Sequence, residues 1–232
     1  LSLGMRVASF LGALALAASV YFLFYQFWGH FNEEAQAAIL LGASLGGLGL
    51  TLAIFVLYPT MKRFTPLAHL GVGAGLAVAP LGAWMAVRQG FAGCAPALWL
   101  GAFTLFWVAG FDVIYATQDE AFDRAAGLHS LPAWLGTERA LAVAALFHLV
   151  AFGALATLFW GWLRTPLAGV LLGVVGLLLA LEHRRGQEVE TAFFTINAWL
   201  GFVVLAFVLA GLLPDLLAAR AAGAAEAIAG RP

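Results

Sequence analysis

The polypeptide has 232 residues, of which 63% are hydrophobic and only 10% charged, with a formal net charge of −1. Soluble domains average roughly 45–50% apolar and 25% charged residues, so a mean hydropathy of +0.97 excludes a water-soluble globule. Disorder needs the opposite balance, and nucleic-acid binding needs a basic patch that this chain lacks, which leaves a polytopic membrane protein.

A bilayer core takes about 20 apolar residues per helix. Seven such runs occur in succession, at residues 5–28, 36–58, 67–87, 95–115, 140–163, 166–182 and 193–213. The first, with Arg6 ahead of it, is too long for a signal-peptide core and leads straight into further spans. The expected fold is therefore all-α, a polytopic transmembrane helical bundle forming one integral-membrane domain over residues 1–232. Five connections are short; the sixth, 116–139, is longer and polar. The tail from Ala221 to Pro232 reads as a frayed end. The lone cysteine, Cys94, has no internal disulfide partner.

Seven spans place the termini on opposite faces. Arg6, Lys62, Arg63, Arg124, Arg139, Arg184 and Arg185 fall on the N-terminal side, against Arg88, Arg164, Arg220 and Arg231 on the other. The positive-inside rule then puts the amino end and the 116–139 loop in the cytoplasm.

Acidic residues are scarce, so their placement is informative. Five of the twelve lie between Asp112 and Glu138. At about 100° per residue, Asp119 and Asp123 each fall about 20° from Asp112, on opposite sides of its line. If the fourth span continues past the membrane surface, the three carboxylates form a stripe roughly 16 Å long. Like charges in a row call for a cation, and Mg²⁺ typically takes one or two carboxylates plus substrate phosphates. The plainer reading is a solvated helix end that tolerates acids. Asp112 argues against it, because it follows the apolar stretch WVAGF, and ionisable groups inside a membrane are costly and usually functional.

Cationic partners occur in YPTMKRF, where Tyr58 and Lys62 share a helical face and Arg63 comes next. Lys62 and Arg63 suit a diphosphate as well as they suit a membrane anchor. His69 and His129 lie near the same face, where the two readings are lining of the pocket and, more commonly, an ordinary interfacial role. His148 and Asn197, within spans, read as packed and interhelically bonded groups.

DVIYATQDEAFDRAAGLHS, from Asp112 to Ser130, resembles the second aspartate-rich motif of the UbiA superfamily of intramembrane aromatic prenyltransferases. YPTMKRFTPLAHLGVG, from Tyr58, resembles that family's YxxxK segment, and AFFTINAWLGF, from Ala192, its final helix. The wording is closest to 4-hydroxybenzoate polyprenyltransferase-like members. The resemblance implies nine helices and two aspartate-rich loops, the first written NDxxDxxxD. No such first motif occurs here, and Asn32, Glu33 and Glu34 do not replace it. The chain is thus expected to represent helices three to nine, with roughly two helices and one metal site missing; the other reading is a short, catalytically silent paralogue.

The implied reaction moves a polyprenyl chain from its diphosphate to an aromatic acid, 4-hydroxybenzoate, in quinone biosynthesis. An alternative acceptor is a dihydroxynaphthoate of menaquinone biosynthesis. By resemblance, 116–139 is the cytoplasmic active-site loop, Asp119 and Asp123 hold Mg²⁺, and Lys62, Arg63 and Arg124 bind substrate. Asp112, Tyr58 and Lys62 take catalytic roles. The expected setting is a bacterial inner membrane with the site facing the cytoplasm, and the expected partners are the polyprenyl diphosphate, the aromatic acid and the lipid bilayer. Two other classes fit less well. A CDP-alcohol phosphotransferase requires DxxDG and AR ahead of GxxxDxxxD, elements missing here, and a secondary transporter would show broken, repeated helices.

Overall fold

A computed structural model describes residues 60–88, 90–184 and 195–229, together with Asn32 and Glu34. Every regular element among the described residues is helical. In chain order these are α1 (Ala68–Arg88), α2 (Ala95–Ala116), a 3₁₀ turn (Thr117–Asp119), α3 (Glu120–Ala125), α4 (Leu131–Leu135), α5 (Thr137–Trp162), α6 (Pro166–Arg184) and α7 (Asn197–Ala229). Five of them, α1, α2, α5, α6 and α7, are long and apolar enough to cross a membrane. They correspond to the expected spans at 67–87, 95–115, 140–163, 166–182 and 193–213; those at 5–28 and 36–58 lie outside the described residues, as do Tyr58, Arg6 and Arg185.

A 3₁₀ turn and two short helices fill most of the connection at 116–139. One expectation is corrected. The tail is helical as far as Ala229, in keeping with the high helix propensity of its alanines.

In sequence order α1 packs on α2, α2 on α5, α5 on α6 and α6 on α7. Lipid is as apolar as leucine, so close van der Waals packing, rather than escape from water, drives these contacts. On α1, a Cβ at Gly73 would lie 2.2 Å from the Leu105 carbonyl oxygen on α2, so only glycine permits that approach. The larger apolar core joins Phe103 of α2, Leu155 and Leu158 of α5, Val175 and Leu179 of α6, and Leu200, Val204 and Phe207 of α7. A smaller one gathers Val113 and Ile114 of α2, Leu131 of α4, and Ala140 and Ala144 of α5. It sits at the end of the bundle where the acidic segment leaves α2, and it anchors α4 there.

A buried polar network crosses the larger core. Trp107 Nε1 donates to Asn197 Oδ1 at 2.9 Å, and Asn197 Nδ2 donates to Glu182 Oε1 at 3.1 Å. His148 bonds the Trp107 carbonyl through Nε2 at 3.2 Å and His183 Nε2 through Nδ1 at 3.0 Å. Glu182 is fully buried. One polar thread therefore links α2, α5, α6 and α7. Gly110 is what admits it, since a Cβ there would lie 2.3 Å from the His148 ring.

Candidate active site

The site begins where α2 leaves the membrane. The helical run Ala95–Ala125 has 31 residues, or about 46 Å of rise, against a hydrocarbon core of about 30 Å. Its C-terminal end therefore projects beyond the apolar layer, and that end carries Asp119, Glu120 and Asp123, two to three turns beyond Asp112. The 3₁₀ turn at Thr117–Asp119 winds more tightly than an α-helix, which shifts the phase of α3 relative to α2. The three aspartates accordingly occupy three environments rather than one uniform stripe.

Asp123 is buried and receives Lys62 Nζ at 3.2 Å. The two side chains keep 3% and 21% of their surface exposed. Backbone bonds hold this pair in place as well. His129 N–H donates to the Lys62 carbonyl, and Leu128 N–H donates to the Asp123 carbonyl at 2.8 Å. Residues 61 positions apart are thus stitched together at one end of the bundle by side chain and main chain alike.

Asp112 meets His69, whose Nδ1 lies 2.7 Å from Asp112 Oδ2. His69 is 1% exposed, and its other ring nitrogen accepts Leu131 N–H at 3.4 Å. Asp119 is exposed at the head of α3, four residues before Asp123 and so on the same helical side. Tyr115 is half-buried one turn after Asp112.

Other charges have structural tasks. Glu120 accepts Thr137 N–H at 3.0 Å and the Thr137 hydroxyl, capping the start of α5. Its second oxygen takes Arg124 at 2.9 Å, and Arg124 also points at the Ala133 carbonyl. Arg124 is exposed, as is Arg63. Ser130, fully buried, caps α4 through the Ala133 N–H at 3.3 Å. The structure thus brings Lys62 to Asp123 and leaves Asp119, Arg63 and Arg124 on the exposed rim. Tyr58 lies outside the described residues.

The model of the UbiA prenyltransferase family matches residues 3–201. The chain belongs to the UbiA prenyltransferase family. Among curated relatives, a 4-hydroxybenzoate solanesyltransferase of Synechocystis is 31% identical over 170 residues, covering 69% of this chain and 56% of the relative. A 4-hydroxybenzoate octaprenyltransferase of Paracidovorax citrulli is 34% identical over 174 residues, covering 69% and 55%. The chain spans about half the length of these curated relatives. A solved apo structure of a UbiA homolog from Aeropyrum pernix shares the fold with a TM-score of 0.62 at 30% identity, covering 78% of this chain and 67% of that one. In this chain the Lys62 turn and the aspartate-rich segment meet at one end of the bundle.

Sequence reasoning undervalued His69 and passed over Glu182. A histidine one residue into a helix carries no periodic signal, and only the crossing of α1 over α2 reveals its partner. Glu182 sits in LEHRR, which reads as a charged span end until Asn197 of α7 is seen to bond it.

Proposed function

We propose that this chain transfers a polyprenyl group from its diphosphate to 4-hydroxybenzoate in quinone biosynthesis, at a site built on Lys62, Asp112, Asp119 and Asp123. The observation that carries the reading is the Lys62–Asp123 contact, which sets a cation beside an aspartate-rich helix end at the membrane boundary. The names of the two relatives favour 4-hydroxybenzoate as the acceptor.

The residues also bear on the metal that such a reaction implies. Asp119 and Asp123 offer hard carboxylate oxygens. Among the described residues, no group of three or more His, Cys, Asp or Glu converges to hold an ion unaided. That donor set fits Mg²⁺ in its usual mode, with one or two carboxylates and the rest of the shell from substrate phosphate and water. Asp119 and Asp123 would hold it. Bound there, the ion supplies Lewis-acid neutralisation of the departing diphosphate.

The chain's own residues supply the rest. Lys62 provides fixed positive charge where negative charge accumulates on the leaving group, and exposed Arg63 beside it adds a second cationic arm. Arg124, pivoting from Glu120, grips the diphosphate or the acceptor carboxylate. The allylic C–O bond breaks and its electron pair leaves with the diphosphate. The ring carbon ortho to the phenol hydroxyl forms the new C–C bond, and its proton passes to a base, which restores the aromatic ring. Asp112, oriented by His69, places negative charge near the developing allylic cation. The site faces the cytoplasm of a bacterial inner membrane, in keeping with the seven-to-four bias of basic residues.

The test is reconstitution of the full-length protein in liposomes with a polyprenyl diphosphate, labelled 4-hydroxybenzoate and Mg²⁺. The expected product is a lipid-soluble prenylated acid. Label that stays water-soluble, with folded protein present, would refute the reading.

A further inference from the structure

His69 and Asp112 pair like the histidine and aspartate of a catalytic dyad, but the ring's second nitrogen tells against that role. In a working dyad Nε2 faces the substrate. Here Nε2 meets Leu131 N–H at 3.4 Å, and the ring is 1% exposed, so no substrate reaches it. A backbone N–H only donates, so Nε2 must carry the lone pair. The neutral ring then holds its proton on Nδ1 and donates it to Asp112 Oδ2 at 2.7 Å. Both nitrogens are committed, one to the candidate carboxylate and one to the helix that comes after the aspartate-rich segment.

We propose that His69 is a positioning residue for the transfer reaction, fixing the orientation of the Asp112 carboxylate and tying it to the segment that carries Asp119 and Asp123. The inference rests on the prenyltransferase reading of the site. Three elements meet at this ring: α1 supplies it, α2 supplies Asp112, and α4 begins at Leu131. Leu131 belongs to the small core with Val113 and Ile114, the two residues after Asp112. A shift of α4 would therefore reach Asp112 both through the ring and through that core. Side chains held this way can be placed to within the tolerance that reacting groups require.

Two amide substitutions separate the two bonds. In His69→Asn the amide nitrogen overlies Nδ1 and keeps the donor to Asp112. In His69→Gln the amide oxygen overlies Nε2 and keeps the acceptor for Leu131. His69→Leu removes both. These variants are measured in the full-length protein in liposomes for kcat, for KM of the polyprenyl diphosphate, and for thermal stability. For His69→Leu we expect a fall in kcat of about a hundredfold, the usual penalty for misplacing a reacting group by about 1 Å, with KM unchanged. For His69→Asn we expect kcat restored well above that of His69→Gln, even where the Asn variant melts lower. A purely structural role for His69 would instead rank kcat with melting temperature and place Gln at or above Asn. That ranking, or a His69→Leu variant as active as wild type, would overturn the proposal. A folded wild type that transfers no prenyl group would remove the function reading and this inference with it.

Discussion

Replacing Lys62 by Met should uncouple the candidate site from the turn that holds it. The ion pair spans 3.2 Å, with Asp123 keeping 3% of its side chain exposed and Lys62 keeping 21%. Exposed pairs contribute about 0–1 kcal/mol, whereas hydrogen bonds to charged groups contribute about 1.5–3 kcal/mol. The distance exceeds the roughly 2.7–2.9 Å of a strong N⁺–H···O⁻ bond, and Lys62 is partly solvated, so the lower end applies. We expect a coupling of about 1.5 kcal/mol in a double-mutant cycle of Lys62→Met, Asp123→Asn and the pair. Lys62→Met alone should cost more, about 2–3 kcal/mol, because it strands a buried carboxylate. Asp123→Asn should cost less, since the amide oxygen still accepts from the ammonium. The assay is unfolding in mixed micelles followed by the fluorescence of the 8 tryptophans. Single-mutant costs that add to within about 0.5 kcal/mol would show that the charge on Asp123 does not act through Lys62.

Three further outcomes are expected from the same geometry. Gly110→Val must push the His148 ring from a position 2.3 Å from the new Cβ, and should destabilise the protein by about 1–3 kcal/mol in the same unfolding assay; unchanged stability would mean that the ring does not pack there. Asn197→Leu strands Trp107 Nε1 and the Glu182 carboxylate and should cost about 1–3 kcal/mol; a neutral effect would show that the network contributes nothing. EDTA should stop prenyl transfer and Mg²⁺ restore it, with Asp119→Ala raising the Mg²⁺ concentration needed; full turnover in excess chelator would remove the ion from the reaction.

Much of the fold was legible in the sequence because lipid imposes simple rules on it. A spanning helix must satisfy its own backbone and present about 20 apolar residues, so the five described spans lie close to the apolar runs that mark them. The start of α5 is earlier than its apolar run because Glu120, distant in sequence, caps Thr137. The turn at Thr117–Asp119 left no mark, since YATQDEAF contains neither glycine nor proline and reads as continuous helix. Within the candidate site, the clustering of scarce carboxylates and the Lys62–Arg63 pair stood out by composition. The division of labour among them did not. Glu120 caps a helix, Asp123 is buried against Lys62, and Asp119 remains on the rim. These differences depend on which neighbour the fold delivers to each side chain, and no local pattern encodes that. His69 is the clearest case, because its meaning depends on a partner 43 residues away.

The most direct test compares turnover of the wild-type protein and Asp123→Asn, side by side in the same proteoliposomes. Both would receive a polyprenyl diphosphate, 4-hydroxybenzoate and Mg²⁺. Asparagine keeps the shape of the buried side chain and a hydrogen-bond acceptor for Lys62 but removes the charge. The expected result is steady formation of prenylated 4-hydroxybenzoate by wild type and a loss of about a hundredfold or more in Asp123→Asn, with both proteins folded. Equal turnover by the two proteins would contradict the assignment of this aspartate-rich helix end as the site of prenyl transfer.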